Sequence, residues 1–543
     1  MFRATGVAHL VSISGLHITM FAWGAAWLVG GLWRRSGRLC LRLPAPDAAL
    51  LGGLLLASAY ALFSGWGIPA QRTCLMLAAV ALLRLSGTRW PWPQGWMLAC
   101  AVVVVADPWA LLQAGFWLSF VAVGVLFATD ASGTQPGAGL ARGTGARALA
   151  MLREQWVVTV ALAPLTLLLF GQLSIVGLAA NAVAIPWVTL VITPLAMLGV
   201  LLPPLWDAAG GAIAALMALL QWLAAWPWAT LSLATAPWWL AAAGVLGGVL
   251  LVAHLPLHLR SLGLPLLLPV LLWQAPVPPV GQFEMLAADI GQGNAVLVRT
   301  ATHALLYDTG PRYSLESDAG HRVLLPLLQA LHTRLDTLVL SHRDTDHVGG
   351  APAVLAMQPQ AALLSSIAAD DHLQSLRPAQ RCVAGQHWEW DGVRFEVLHP
   401  QAADYDSPHS PNALSCVLRL HSAGAQPQTA LLVGDIESPQ EEALLARHAP
   451  LRADVLLVPH HGSKTSSSEA FLDAVQPRQA WVQTGYRNRY GHPAPEVMLR
   501  YAGRGIVVHD APHCGAITWR SDRPAQTVCA RSGEMRYWAH RVP

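Results

Sequence analysis

Charge is scarce in this chain, and lysine is nearly absent. Only 12% of its 543 residues are Asp, Glu, Lys or Arg, about half of the roughly 25% usual in a soluble domain. Lys464 is the sole lysine, so the positive charge is arginine; beside so much Ala, Gly and Pro, this reflects genome base composition better than recognition of a partner. A net charge of +3 is too small to argue by itself for nucleic acid. The seven cysteines include no CxxC pair, which excludes the common zinc-ribbon and thioredoxin-like spacings. Cys514 and Cys529 flank an expected hairpin and can pair in an oxidising compartment; the alternative is four unpaired thiols in this half. No cleavable leader is evident, because the first apolar stretch is long and more follow it.

Apolar residues fill the space that charge leaves, at 54% of the chain, and they are unevenly spread. Up to about Trp273 charges gather in a few short runs; from Phe283 onward they occur at globular density. Crossing a bilayer takes about 20 apolar residues, and the first half offers roughly ten candidate stretches of this kind, from residues 9–32 to 262–273, several of them short. The stretch 174–202 contains Pro186 and Pro194 and reads as one kinked helix or two half-helices lining a cavity. The expected organisation is a polytopic membrane domain over 1–274, a linker over 275–282 marked by Pro276, Pro278 and Pro279, and a soluble domain over 283–543.

Every second loop of the membrane half is basic: Arg34, Arg35, Arg38 and Arg42; Arg84 and Arg89; Arg142, Arg147 and Arg153; Arg260. Basic loops stay on the cytoplasmic side. With ten spans, the amino terminus and the soluble domain are expected outside the cytoplasm.

The soluble half alternates short apolar strands with turns and helical stretches, an α/β pattern in which polar residues cluster at strand ends. LDTLVLSHRDTDHVGG places His342, Asp344, Asp346 and His347 just after a strand, where imidazole and carboxylate side chains can converge on a divalent ion. Asp435 ends the strand TALLVGD. His460 and His461 follow the strand ADVLLVP; adjacent side chains diverge, so one need bind. Such a site activates water and clamps the departing oxygen of a phosphodiester or other ester. Asp346, His347, Lys464 and His492 are the catalytic candidates. Lys464 with Thr465 and Ser466 can meet a phosphate, against a plain solvated loop. Tyr490 and His492 can supply a late proton or touch substrate, against a plain surface turn.

Together these clusters resemble the metallo-β-lactamase superfamily over about residues 283–538, including a DTG turn at Asp308–Gly310. The resemblance implies an αββα sandwich and a metal site of His342, Asp344, Asp346, His347, Asp435, His460 and His461. Asp344 stands where the superfamily has its second histidine, and the region before Asp435 offers Asn412 and Ser415 in place of another. Carboxylate and amide in place of imidazole shift preference from zinc toward manganese or magnesium, so the expected cofactor is Mn2+ or Zn2+, with Mg2+ also open.

In the membrane half, polar groups at depth are functional candidates by default: Ser14 and His17 in HLVSISGLH, Arg72 in PAQRTCLMLAAVALLR, Asn181 in ANAVAIPW, and the segment GFWLSF. The bland readings are hydrogen bonding to a neighbouring helix and an arginine that snorkels to the interface. With DIGQGNA, SHRDTDHVGG and PHHGSKTSSS, these segments resemble the ComEC family, inner-membrane DNA channels of natural transformation. That resemblance implies passage of one DNA strand inward and degradation of the other by the soluble domain, with a DNA receptor and a cytoplasmic helicase-like motor as partners and a homo-oligomer as an open option. The family's amino-terminal oligonucleotide-binding module is not found in this sequence, so Met1 reads as an internal or misassigned start, or as the mark of a truncated homologue. Two other functions stay open: a DNA-binding channel with an inactive hydrolase domain, and a membrane-anchored phosphodiesterase.

Overall fold

A computed structural model describes residues 1–2, 4–11, 15–88, 90–129, 144–253, 255–533 and 542. Ser14, Arg89 and Arg142 lie outside the described residues. The chain forms two compact units, Met1–Gln274 and Ala275–Pro543.

The first unit is helical because its long Leu, Ala and Val runs can bury backbone polar groups only within helices. Among the described residues, five helices are long and apolar enough to cross a membrane: Ala45–Phe63, Ile68–Leu85, Leu152–Phe170, Gly177–Leu198 and Pro204–Ala224. Four further apolar helices are shorter, Trp92–Ala106, Ala114–Thr129, Trp238–Val252 and Leu257–Leu271. The count of roughly ten thus rests in part on short helices.

The proline-containing stretch resolves as one helix, not two halves. Gly177–Trp187 continues through a π turn at Val188–Ile192 into Thr193–Leu198. Each proline removes a backbone donor, and one widened turn between them absorbs the mismatch without breaking the helix. The only strand pairing described in this unit is the short antiparallel contact of Gln172–Ser174 with Thr230–Ser232.

The second unit is a sandwich. In chain order the strands of its two large sheets are β1 (Glu284–Ala287), β2 (Val296–Arg299), β3 (Ala304–Tyr307), β4 (Thr337–Leu340), β5 (Ala362–Ser365), β6 (Ala379–Arg381), β7 (His387–Trp390), β8 (Val393–His399), β9 (Val417–His421), β10 (Thr429–Leu432), β11 (Val455–Leu457), β12 (Gln479–Val482), β13 (Val507–Asp510), β14 (Ile517–Arg520) and β15 (Thr527–Cys529). One eight-stranded sheet runs β6-β5-β4-β3-β2-β1-β14-β15, and a seven-stranded sheet runs β7-β8-β9-β10-β11-β12-β13.

Alternation sets the layers. Val296 and Val298 face the core between the sheets with Tyr307, Phe395, Leu418, Trp481 and Trp519. Leu297 points the other way, into a second core with Leu324, Leu328, Val354 and Leu355 from helices on the outer face. Leu431 and Leu456 do the same on the other sheet, against Leu444, Phe471 and Val497. Strands with both faces covered read as continuous apolar runs, and each fully buried Leu or Phe stabilises by about 1.5–3 kcal/mol.

The strands β3 to β6 are parallel, as are β10 to β13. Parallel connection puts the carboxyl ends of β3, β4, β10, β11 and β12 at one edge, where ligand sites of such sheets form. Both cysteine pairs of this unit are joined: Cys514 to Cys529, and Cys382 to Cys416 with Cα atoms 6.1 Å apart. The reading of four unpaired thiols does not hold, and the second pair went unforeseen because 34 residues separate its members.

Candidate metal centre

The site is built by turns that only particular residues can make. Asp308 follows β3 with φ of +59°, in the left-handed region that Asp tolerates better than most residues. This turn aims its carboxylate inward, where it accepts from the Ser341 amide at 2.6 Å, the Ser341 hydroxyl at 2.8 Å and His347 Nδ1 at 2.8 Å. The backbone amide and hydroxyl of Thr309 both donate to the His347 carbonyl, at 2.7 and 2.9 Å. The Asp308 turn therefore fixes both the ring and the backbone of His347. Gly293 is required nearby, because a Cβ there would collide with the Asp346 carbonyl oxygen.

His347 lies at the centre. Its Nε2 is 3.2 Å from Asp435 Oδ1 and 3.2 Å from His461 Nε2. His461 is turned by its own Nδ1, which donates to the Gln483 carbonyl at 2.9 Å. Its Nε2 lies 3.4 Å from Asp346 Oδ2 and 3.5 Å from Asp435 Oδ2. His342 stands beside them, its ring 4.1 Å from that of His347, with Nδ1 held by Ser341 Oγ at 2.9 Å.

The donors form two groups that share His347: His342, His347 and Asp435, all buried, and Asp346, His347 and His461. A partner on Nδ1 leaves Nε2 as the free lone pair of a neutral ring. For His347 and His461 these lone pairs converge, which is repulsive unless a cation stands between them. Among the described residues, His342 Nε2 and Asp435 Oδ1 are buried and make no hydrogen bond, and a buried polar atom left so costs about 1–3 kcal/mol. The donor set therefore fits a divalent cation.

Without a cation, protons take that role. Burial opposes a charge on His347, but the Asp435 and Asp308 carboxylates outweigh it and hold the ring well above the ordinary imidazole value. His461 is raised likewise, against burial, by Asp435 and by its hydrogen bond to Asp346. Burial pushes Asp435 up, yet the charges of His347 and His461 hold it well below the usual carboxylate range. Asp346 is also pushed up by burial, but the His461 hydrogen bond and the nearby imidazoles bring it to about 2.

Other expected site residues are placed differently. Of the adjacent histidines, His461 turns in, while His460 turns toward Glu437 Oε1 at 3.2 Å and lies 3.8 Å from Asp435. Both have positive φ, and the turn sends the two rings apart. Asp344, with its side chain 46% exposed, sits at the rim 3.7 Å from His342 Nε2. Lys464 is not brought into the cluster: its side chain is 74% exposed, with the ammonium 3.9 Å from Glu496. His492 packs its ring 5.7 Å from that of His460, and burial, with His460 and His461 nearby, lowers its pKa.

In the helical unit Arg72 is buried. Its guanidinium packs on Gly115 of GFWLSF, where a Cβ would come within 2.9 Å of Nη2. Among the described residues, Arg72 Nη1 and Asn181 Oδ1 are buried and have no hydrogen-bond partner, and His17 is half-buried.

Three residues have orienting roles that the sequence reading did not assign: Asp308, named there only as part of the DTG turn, Ser415, named only as a stand-in for a histidine, and Gln483, not named at all. Ser415 Oγ lies 3.4 Å from His342 Nδ1 and accepts the Asp435 amide at 3.1 Å. Asp308 left a signal in the DTG turn at a strand end and Ser415 one in its place before Asp435, whereas Gln483 left none. Asp308→Asn should lower metal affinity by about 10–100-fold with the fold retained, since it weakens the group that orients a ligand; metal titration of the purified variant checks this.

A family model described as Competence protein matches residues 1–257, and one described as Metallo-beta-lactamase superfamily matches residues 288–370. Competence protein ComA of Neisseria gonorrhoeae is 37% identical over 95% of this chain and 71% of that protein. The chain belongs to the competence protein family. A second family relative, the uncharacterized protein YcaI of Escherichia coli K12, is 32% identical over 95% of this chain and 67% of its own length. Among solved structures, the metallo hydrolase Igni18 of Ignicoccus hospitalis aligns over 44% of this chain and 98% of its own at 14% identity, with a TM-score of 0.30. The expected fold class, a multi-pass helical part followed by an αββα metallo-β-lactamase-like domain, is the one observed in this competence protein.

Proposed function

We propose that this competence protein is an inner-membrane channel for uptake of single-stranded DNA, whose soluble unit is a metal-dependent nuclease that degrades the strand left outside. The observation that carries the reading is one chain in which apolar helices of the competence family precede a cluster of buried His347, His461 and Asp435 with half-buried Asp346, whose lone pairs call for a cation.

His342, His347 and Asp435 hold one side of the cation site, and Asp346, His347 and His461 the other. A divalent ion held by these residues would supply Lewis-acid polarisation of a phosphoryl oxygen and a more acidic water. Mn2+, Zn2+ and Mg2+ are the candidates, and the carboxylates of Asp346 and Asp435 among the donors suit the harder ions. Asp308 keeps His347 in the tautomer that leaves Nε2 free. His492, with its ring beside that of His460, stands where it can touch the substrate. In the helical unit, Arg72 Nη1 and Asn181 Oδ1, buried and without a hydrogen-bond partner among the described residues, suit a polar path, since buried polar atoms in apolar helices need water or a passing polar group.

The alternating arginine loops support an extracytoplasmic nuclease unit, and so do its two disulfides, which persist in oxidising compartments. A DNA receptor outside and a helicase-like motor inside are the partners this scheme requires; a homo-oligomeric pore is compatible with it. The second reading, a DNA channel with an inactive hydrolase fold, is favoured by one observation, the half-exposed Asp344 at the rim.

Two experiments in cells test the proposal. Transformation should fall at least 10-fold in Arg72→Ala cells that still insert the protein, as expected when a functional intramembrane charge is lost; normal uptake would remove Arg72 from the path. A reporter fused at Val280 should be active outside the cytoplasm, and a cytoplasmic signal would overturn the placement of the nuclease.

A further inference from the structure

The loop that follows β12 and Gln483 reads Gly485-Tyr486-Arg487-Asn488-Arg489-Tyr490-Gly491-His492, and the metal centre uses none of its tyrosines or arginines. Its shape is held chiefly by the side chain of Asn488. Asn488 Nδ2 donates to the carbonyls of Gly485 at 3.0 Å and His492 at 2.5 Å, and its Oδ1 accepts the amides of Tyr490 and His492, each at 3.1 Å. The Gly485 amide donates to Gln292 of the DIGQGNA turn at 3.3 Å. Arg487 takes φ of +52° at the loop's tip. A non-glycine residue in that region is held there by its surroundings.

This fixed loop presents two matched pairs. The Arg487 guanidinium lies 5.1 Å from the centre of the Tyr486 ring, and that of Arg489 lies 4.8 Å from the centre of the Tyr490 ring. Arg489 Nη2 also donates to the Tyr490 hydroxyl at 2.7 Å. Tyr486 is 40% and Tyr490 53% exposed, large aromatic surfaces for a soluble face. Neither arginine enters a salt bridge among the described residues. The inner end of the loop reaches the metal centre through a line of rings: Tyr490 is 5.8 Å from His492, stacked at 28°, and His492 is 5.7 Å from His460.

Exposed cations that lack a carboxylate partner, interleaved with flat rings, match a ligand that alternates phosphates and flat bases. Guanidinium groups take the phosphates. Tyrosine rings stack on bases, and only on bases not already paired within a duplex. Cation–π contact holds each arginine over its ring before any ligand arrives, so less side-chain entropy is lost on binding. We infer that residues 486–490 form a binding rim for single-stranded DNA that feeds one strand to the metal centre, Arg487 and Arg489 contacting consecutive phosphates and Tyr486 and Tyr490 stacking on bases. The inference rests on the proposed action of the site on DNA and names the form of the substrate.

The test uses the full chain in detergent, a fluorescent oligothymidylate as probe, and a chelator that suppresses cleavage. Arg487→Ala/Arg489→Ala should weaken binding about 10-fold or more and lower the slope of log affinity against log salt by about 1.4, two contacts at roughly 0.7 each for a single strand. Arg487→Lys/Arg489→Lys should restore the slope. Tyr486→Ala/Tyr490→Ala should weaken single-strand binding about 10-fold, leave the slope unchanged and leave duplex binding unchanged. Melting temperature and metal content should match wild type throughout. A 5-iododeoxyuridine oligonucleotide, photo-crosslinked and mapped by mass spectrometry, should label Tyr486 or Tyr490 even where the helical unit also binds DNA. Crosslinks confined to other segments, or variants that bind like wild type while wild type still cleaves DNA, would overturn the rim alone. A wild-type chain that neither binds nor cleaves any DNA would overturn the rim together with the nuclease reading.

Discussion

His347→Ala is expected to empty the site and lower DNA cleavage by on the order of 10³-fold, beyond the 10–100-fold typical of a residue that only supports a ligand. The effect is large because His347 belongs to both donor groups, so its loss disables each side of the site at once. The same substitution removes the partner of two buried carboxylates. Asp308 Oδ2 and Asp435 Oδ1 lie 2.8 and 3.2 Å from the two nitrogens of this ring, and breaking a buried charge pair costs about 3–5 kcal/mol. The variant should therefore bind little metal and also melt earlier in the metal-free state. Elemental analysis of the dialysed protein and a thermal melt measure the two effects separately. His372→Ala, at an exposed side chain beside Asp371, should change neither; a His347→Ala protein that retains wild-type metal content would remove His347 from the site.

Metal affinity should rise steeply with pH, by up to about two log units per pH unit, one for each imidazole proton displaced. The signs follow from the site. His347 and His461 are raised above the ordinary imidazole value. In the metal-free protein their protonated forms contribute stability that is complete below about pH 6.5 and is lost as pH rises through the raised values. A metal needs both rings neutral, so it competes with protons throughout that window and binds best above it. Asp346, at about 2, is ionised throughout and adds no slope there. Asp435 is depressed, so its contribution is present above the ordinary carboxylate value and fades only as pH falls through its lowered one. Calorimetry in buffers of different ionisation enthalpy counts the protons released. An affinity flat between pH 6 and 8, the range about the ordinary imidazole value, would mean that His347 and His461 are not both ligands.

The chain announced much of this site, because catalytic groups at strand ends stand next to apolar runs in sequence. Asp346 and His347 follow LDTLVL, Asp435 ends TALLVGD, and the histidine pair ends ADVLLVP. What stayed hidden was set by distance along the chain or by backbone angles. Asp308 orients a ring 39 residues away, and Gln483 orients one 22 residues away. Which of His460 and His461 turns inward depends on two left-handed backbone positions, which residue type does not reveal. Lys464 neighbours the pair in sequence, yet the same turn carries it out to Glu496. In the helical unit, Arg72 and Gly115 were each singled out by polarity or motif; their contact required the packing of two helices.

Cleavage of an end-labelled single-stranded oligonucleotide by the full chain in detergent, with manganese supplied, tests the central claim most directly. The account predicts shortened products from the wild-type chain, none with chelator, and a loss of on the order of 10³-fold in Asp346→Ala, as for other ligand losses. Equal cleavage by wild type and Asp346→Ala, or no cleavage by wild type with manganese, magnesium or zinc, would contradict it.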